Sequence, residues 1–194
     1  GIAEKTIVIF TSDNGGLSAV ARGGEKHTHN APLRSGKGSC YEGGVRVPLI
    51  VKDLTGKKDV RDNYTVTHDL FPTILDYAGV TLPEDYIVDG ISLDKLHDDR
   101  VIGWHQPHQW GASGPGIEPY TAIRKGDWKL IYFHDGERFE LYNLRLDIGE
   151  MNNVLTHYPQ VFNEMRNTLL NWAINREAQP SIVTKTGDAV PWHE

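Results

Sequence analysis

Apolar positions along the chain follow three rhythms. In the first, Ile7 to Phe10 and Val45 to Val51 are nearly continuous apolar runs, "IVIF" and "VRVPLIV". Such runs predict strands buried on both faces, as in a parallel sheet covered by helices. Pro48 has no N–H to give a neighbour, which places the second strand at an edge or a bulge. The second rhythm is helical. Leu70, Ile74, Leu75 and Ala78 recur at helical spacing, with Gly79 as a stop, Thr67 or Asp69 as a cap and Pro72 in the first turn. Val161, Met165, Leu169, Trp172 and Ala173 likewise share one helical face. The third rhythm is that of antiparallel strands, in "YTAIRKGDWKLIYF" and "FELYNL", punctuated by Gly126-Asp127 and Asp135-Gly136 turns. The expected fold class is α/β. Residues 1–100 form the layered portion, and residues 101–194 form a small antiparallel subdomain packed on a C-terminal helix.

Composition narrows the function classes. Twenty basic and 26 acidic residues give a net charge of −6 with no basic block, which argues against nucleic acid as a partner. No apolar run approaches the roughly 20 residues of a bilayer span, so no membrane segment is expected. The single cysteine, Cys40, excludes an internal disulfide framework. The opening residues "GIAEKTIVIF" lack the regions of a signal peptide and run into a core strand, which suggests the middle of a longer chain.

The first strand ends in "TSDNGG", where Asp13 and Asn14 admit two readings. Asn-Gly suits a tight turn. Alternatively, ligands of parallel sheets sit just past the strands' C-terminal ends, and carboxylate and amide oxygens suit a hard divalent cation. Beyond lies a long glycine-rich stretch, Gly15 to Gly44, of a length that in a compact domain is functional or disordered.

Taken together, "TSDNGG", "NAPLRSGKGSCYEGGVRVPLIV", "THDLFPTILDYAGV", "DGISL", "AIRKGDWKLIYF" and "ELYNLRLDIGEMNNV" resemble, in order, the C-terminal part of type I sulfatases. These are formylglycine-dependent enzymes of the alkaline-phosphatase-like superfamily. The resemblance extends from Thr6 to the last helix and is greatest to bacterial enzymes acting on sulfated carbohydrates. It implies a sulfuric ester hydrolase that is periplasmic or secreted. It also implies that Asp13 and Asn14 are ligands of a calcium ion and that Lys37 is catalytic, contacting the sulfate. Flanking glycines would let the backbone approach there, and an ammonium would stabilise charge developing on a sulfate oxygen. Without the resemblance, Lys37 reads as an exposed loop lysine.

Other residues of these motifs have plainer readings. Arg34 and Arg46 are expected to pair with Glu42 and brace the long loop. Cys40 does not stand in the Cys-x-Pro/Ala-x-Arg motif that yields formylglycine, and reads as a small buried side chain. His105 and His108 in "GWHQPHQW" fit a second metal site, a buried structural role or carbohydrate recognition; the last is preferred, with Trp104 and Trp110 as flat faces for sugar rings. Arg124 is a further substrate-binding candidate, or strand packing. Asp127, Asp147 and Glu150 are assigned to turns and caps.

A sulfatase also needs its formylglycine, an aspartate pair completing the metal site, and further lysine and histidine groups. The resemblance places all of these upstream of "TIVIF". The expectation is therefore part of an enzyme, inactive alone and completed by an N-terminal part, with a sulfated carbohydrate or aryl sulfate as substrate. The alternatives are a non-catalytic module binding sulfated glycans and part of a related phosphodiesterase or phosphonate hydrolase.

Overall fold

A computed structural model describes residues 1–17, 30–111 and 113–192. They fall into two compact units, Gly1–Ile9 with Ile50–Arg100 and Phe10–Leu49 with Val101–Glu194. Positions 18–29, the centre of the long stretch from Gly15 to Gly44, lie outside the described residues.

Strand β1 (Val8–Thr11) and strand β2 (Leu49–Lys52) form a two-stranded sheet, the pairing that the apolar runs predict. Their burial differs from the prediction. Exposed and partly covered residues alternate along both strands, with Val8, Phe10 and Ile50 each more than half exposed. Alternation is the signature of a sheet covered on one face, so the expectation of burial on both faces is corrected for the described residues. The second strand is also shorter than its run. Val45 closes a single-turn helix, α1 (Glu42–Val45), and the strand begins only after Pro48.

Helix α2 (Leu70–Ala78) forms where the spacing predicts and ends on Gly79, whose φ of 67° is the left-handed conformation that glycine adopts at no steric cost. Asp69 stands just before it, where a cap is expected, but its side chain makes no capping hydrogen bond to the helix. Its carboxylate accepts the Val66 and Ile91 N–H groups at 2.8 and 2.9 Å, and takes both ends of the Arg100 guanidinium at 2.7 and 3.0 Å. Burial pushes this carboxyl up, but the donors around it outweigh that and hold it below the usual range. The apolar stripe of α2 is largely uncovered, with Ile74 half exposed; the buried residue is Thr73, whose hydroxyl donates to the Asp69 carbonyl at 2.6 Å.

Strands β3 (Val101–Gln106), β4 (Tyr120–Lys125), β5 (Trp128–Phe133) and β6 (Arg138–Asn143) form an antiparallel sheet in chain order. The turns at Gly126 and Gly136, both at positive φ, stand where predicted. Helix α3 (Pro159–Asn175) covers one face, burying Met165 and Leu169 against Ile123, Leu130, Tyr132 and Leu141. Gly103 makes room for this helix, because a Cβ there would lie 2.4 Å from the Trp172 indole. The opposite face carries Ala122, Ile131, Phe133 and Tyr142 against Cys40 and Tyr41, from the segment leading into α1. The sheet thus separates a helix-covered face from a face covered by the loop that contains Lys37.

Candidate functional site

The Asp13–Gly16 turn hangs on that loop by its backbone. The Gly15 N–H donates to the Gly44 carbonyl at 2.8 Å, and the Lys37 N–H donates to the Gly16 carbonyl at 3.0 Å. Glycines permit this approach: a Cβ on Gly15 would sit 1.8 Å from the Gly43 carbonyl oxygen, and one on Gly43 would sit 2.3 Å from that of Arg34. Asp13 is exposed and Asn14 half-buried. The Asn14 amide nitrogen donates to the Gly15 carbonyl at 3.0 Å, which leaves its side-chain oxygen as the group available to a cation. In kind, these oxygens fit calcium; in number, they are a share of the six to eight oxygens it takes. Among the described residues no cluster of three or more His, Cys, Asp or Glu gathers to hold a metal.

Beneath the loop lies a charged cluster. Lys129, fully buried on β5, places its ammonium 2.9 Å from Glu42 Oε1 and 2.9 Å from Glu150 Oε1. The contact with Glu42 is a hydrogen bond; that with Glu150 is electrostatic, without hydrogen-bond alignment. The Glu42 backbone N–H donates to Glu150 Oε2 at 2.6 Å. Arg124, which the strand register sets opposite Lys129, lies 3.5 Å from Glu42, and Arg46 lies 3.4 Å from it. Burial pushes both carboxyls up. At Glu42 the facing Lys129 and Arg124 prevail and hold the carboxyl below the ordinary range, whereas at Glu150 burial prevails and the Glu42 charge adds to it. Lys129 is buried too, yet its two acids hold it above the usual lysine value.

Several expectations change here. Arg46 pairs with Glu42, but Arg34 does not: its guanidinium lies 3.9 Å over the Tyr41 ring and donates to the Tyr142 hydroxyl and the Glu150 carbonyl. Glu150 closes a turn as expected, its N–H donating to the Asp147 carbonyl at 3.1 Å, but it does not lie on the surface. It is fully buried at a φ of 51° and closes the Lys129 cluster. Arg124, a substrate-binding candidate in the sequence, is buried against Glu42. Cys40 is fully buried, as expected, and burial pushes its thiol well up.

The "GWHQPHQW" residues do not converge. His105 lies on the helix-covered face, with Nδ1 2.8 Å from Thr121 Oγ1 and Nε2 2.8 Å from the Gln179 carbonyl. The contacts continue from Thr121 to His134 Nε2 at 2.8 Å, from His134 Nδ1 to Ser181 Oγ at 2.6 Å, and from Ser181 to the Pro107 carbonyl at 2.5 Å. Both ring nitrogens of His105 are engaged within the protein, across the sheet from Lys37, which is the geometry of a structural histidine. Burial lowers the pKa of both rings, that of His134 to about 4. Trp104 packs against the Cys40–Tyr41 cluster. His108 is exposed, and Trp110, 40% exposed, lays its ring on Gly38 beside Lys37. Gly38 has a φ of 87°, and a Cβ on it would lie 2.2 Å from the indole. Of the motif, Trp110 is therefore the exposed ring brought beside Lys37, while Trp104 packs inside.

Sequence reasoning missed Lys129 and Glu150. A signal existed for Lys129, since in "DWKLIYF" it shares a strand face with Ile131 and Phe133 and so points into the core.

Comparison with known proteins identifies the setting of this loop. A family model described as "N-sulphoglucosamine sulphohydrolase, C-terminal" matches residues 36–175. A sulfatase of Formosa agariphila is 36% identical over 99% of this chain and 37% of its own length. Mouse arylsulfatase K is 30% identical over 82% of this chain and 29% of its own. The solved structure of Ps i-CgsB in complex with k-i-k-neocarrahexaose superimposes with a TM-score of 0.69 at 27% identity, covering 88% of this chain and 37% of that one. The chain thus spans about a third of the length of the curated relatives it matches. It belongs to the sulfatase family, and it corresponds to the C-terminal region of those proteins.

Proposed function

We propose that this chain is the C-terminal portion of a sulfatase that hydrolyses sulfate esters of a sulfated carbohydrate. In this reading the chain supplies half of an active site within an alkaline-phosphatase-like α/β sandwich. The supporting observation is the backbone link between the Asp13–Gly16 turn and the Lys37 loop, which fixes two oxygen donors and one ammonium on neighbouring segments. Asp13 and the Asn14 side-chain oxygen would hold calcium together with ligands from the N-terminal part. The cation would bind a sulfate oxygen and polarise the S–O bonds. Lys37 would hold a non-bridging oxygen and stabilise charge developing there in the transition state. Among the described residues its ammonium has no partner to compete for it.

Trp110 on Gly38 offers a flat ring beside Lys37 for the apolar face of a sugar, and the exposed His108 in the same loop offers a hydrogen-bonding edge. His105, bonded on the helix-covered side of the sheet, and Arg124, buried against Glu42, are both engaged within the protein and in this reading hold structure rather than meet substrate. The formylglycine nucleophile would come from the N-terminal part, so the 194-residue chain alone is expected to be inactive.

The test uses a full-length enzyme carrying this segment. Lys37→Ala is expected to lower kcat about a hundredfold on aryl and sugar sulfates alike, equivalent to about 3 kcal/mol of transition-state stabilisation. Asp13→Ala is expected to lower both activity and calcium affinity. His108→Ala is expected to depress kcat/KM on the sugar sulfate while sparing the aryl sulfate. Near-normal kcat in Lys37→Ala would overturn the reading.

A further inference from the structure

The Lys129 cluster lies outside the set of groups that would touch substrate, and its construction calls for a reason. A lysine with no solvent access between two buried carboxylates is costly to assemble, since desolvation of the charges opposes their attraction. Well-packed apolar side chains would serve stability at least as well. Ion pairs differ from apolar contacts in direction: they fix where a partner sits.

The partner here is a single turn of helix. Helix α1 is four residues long, three of them Glu42, Gly43 and Gly44, so it has little side chain with which to hold its own position. Glu42 carries that duty through Lys129, and its N–H is held by Glu150. From α1 the connection to the site runs through backbone hydrogen bonds, to which the Asn30 side chain adds by donating to the Gly16 and Ser35 carbonyls at 2.8 and 2.9 Å. The Gly44 carbonyl receives the Gly15 N–H, the Gly43 N–H donates to the Arg34 carbonyl, and the Lys37 N–H donates to Gly16. Arg34 returns to the same anchor by donating to the Glu150 carbonyl at 2.8 Å. Both ends of the Arg34–Gly44 segment therefore meet the cluster, and Lys37 and the Asp13–Gly16 turn are held between them.

We propose that Lys129, with Glu42 and Glu150, is a positioning residue for the Asp13–Gly16 turn and Lys37, registering that loop on the antiparallel sheet. The consequence for catalysis rests on the sulfatase reading; the positioning does not. Misplacing Lys37 by a fraction of a hydrogen-bond length weakens a contact made in the transition state, so the cluster would act on kcat more than on KM.

The test reads the positions of the backbone directly. Amide hydrogen exchange is followed in the 194-residue chain at Gly15 and Lys37, with Ile123 and Ile131 in the two central strands as references. Lys129→Met is expected to speed exchange at Gly15 and Lys37 at least tenfold while leaving the references within about threefold. Glu150→Gln keeps an acceptor for the Glu42 N–H and is expected to give a smaller change of the same pattern. Uniform acceleration at all four amides would reduce the cluster to general core stability, and unchanged rates at Gly15 and Lys37 would remove the positioning role; either result overturns the proposal. Should Lys129→Met not fold, Glu150→Gln decides by the same two criteria. In the full-length enzyme, Glu150→Gln is then expected to lower kcat about tenfold with KM within about twofold. A shifted exchange pattern together with an active Lys37→Ala enzyme would refute the sulfatase reading and leave the positioning intact.

Discussion

In the unit made of Phe10–Leu49 and Val101–Glu194, both faces of the four-stranded sheet carry apolar clusters, and the charges inside it face one another. In the unit made of Gly1–Ile9 and Ile50–Arg100, the buried side chains among the described residues are polar: Asp69, Thr73, Ser92 and Arg100. Several of its large apolar side chains, among them Val8, Ile50, Phe71 and Ile74, stand exposed. Apolar burial is the main favourable term in folding and scales with the area removed from water. The first unit therefore draws on many apolar contacts spread over both faces of its sheet, whereas the second depends on one knot of directed bonds around Asp69.

The largest effect should come from cutting that knot. Asp69→Ala leaves Arg100 buried without its carboxylate and removes the acceptor of two backbone N–H groups, a change of about 3–5 kcal/mol by analogy with other broken buried pairs. Amide exchange across α2 should rise towards that of unfolded chain while β4 and β5 stay protected. Retained protection in α2 would show that its exposed stripe contributes more than its surface suggests.

A second experiment probes the better-packed unit. His105 and His134 have pKa values lowered by burial, His134 to about 4, so between pH 6.5 and 4 the unfolded chain takes up protons that the folded chain refuses. The stability of the sheet unit should fall as pH drops through that window, seen as a lower urea midpoint at pH 5 than at pH 7. A flat or rising midpoint would overturn the assignment of the dominant pH term in this unit to the two buried histidines.

The smallest effect is expected at Ile74, whose exposed side chain loses little on replacement. Ile74→Ser should change stability by no more than about 0.5 kcal/mol. The same substitution at Leu169, with almost no exposed surface, would be felt throughout the sheet unit.

Much of this was legible in the sequence where local chemistry decides the structure. Gly126, Asp135-Gly136 and the spacing from Val161 to Ala173 marked the hairpins and the last helix, because turns and amphipathic helices are specified by near neighbours. Strand β3 was not legible. "VIGWHQ" owes its state to pairing with β4 and to Trp172 filling the space above Gly103, both remote in sequence. Asp13, Asn14 and Lys37 were singled out through the family pattern and fall on neighbouring segments. The anchor beneath them was hidden because Glu150 follows "DIG", where an acid reads as a turn residue. Its burial is decided by Lys129 and Glu42, 21 and 108 positions away. The two histidines looked alike as letters, yet strand alternation and the carbonyl of Gln179 commit one of them to the interior.

The half-exposed sheet of β1 and β2 has a consequence for handling the protein. A two-stranded ribbon is marginal by itself in water, and among the described residues no third strand pairs with its outer edges, which lie beside exposed Val8, Phe10 and Ile50. Such an edge accepts any strand of suitable pattern, including another copy's. The purified 194-residue chain should therefore be prone to self-association as its concentration is raised. The growing assemblies should recruit the first residues of the chain before they disturb the antiparallel sheet.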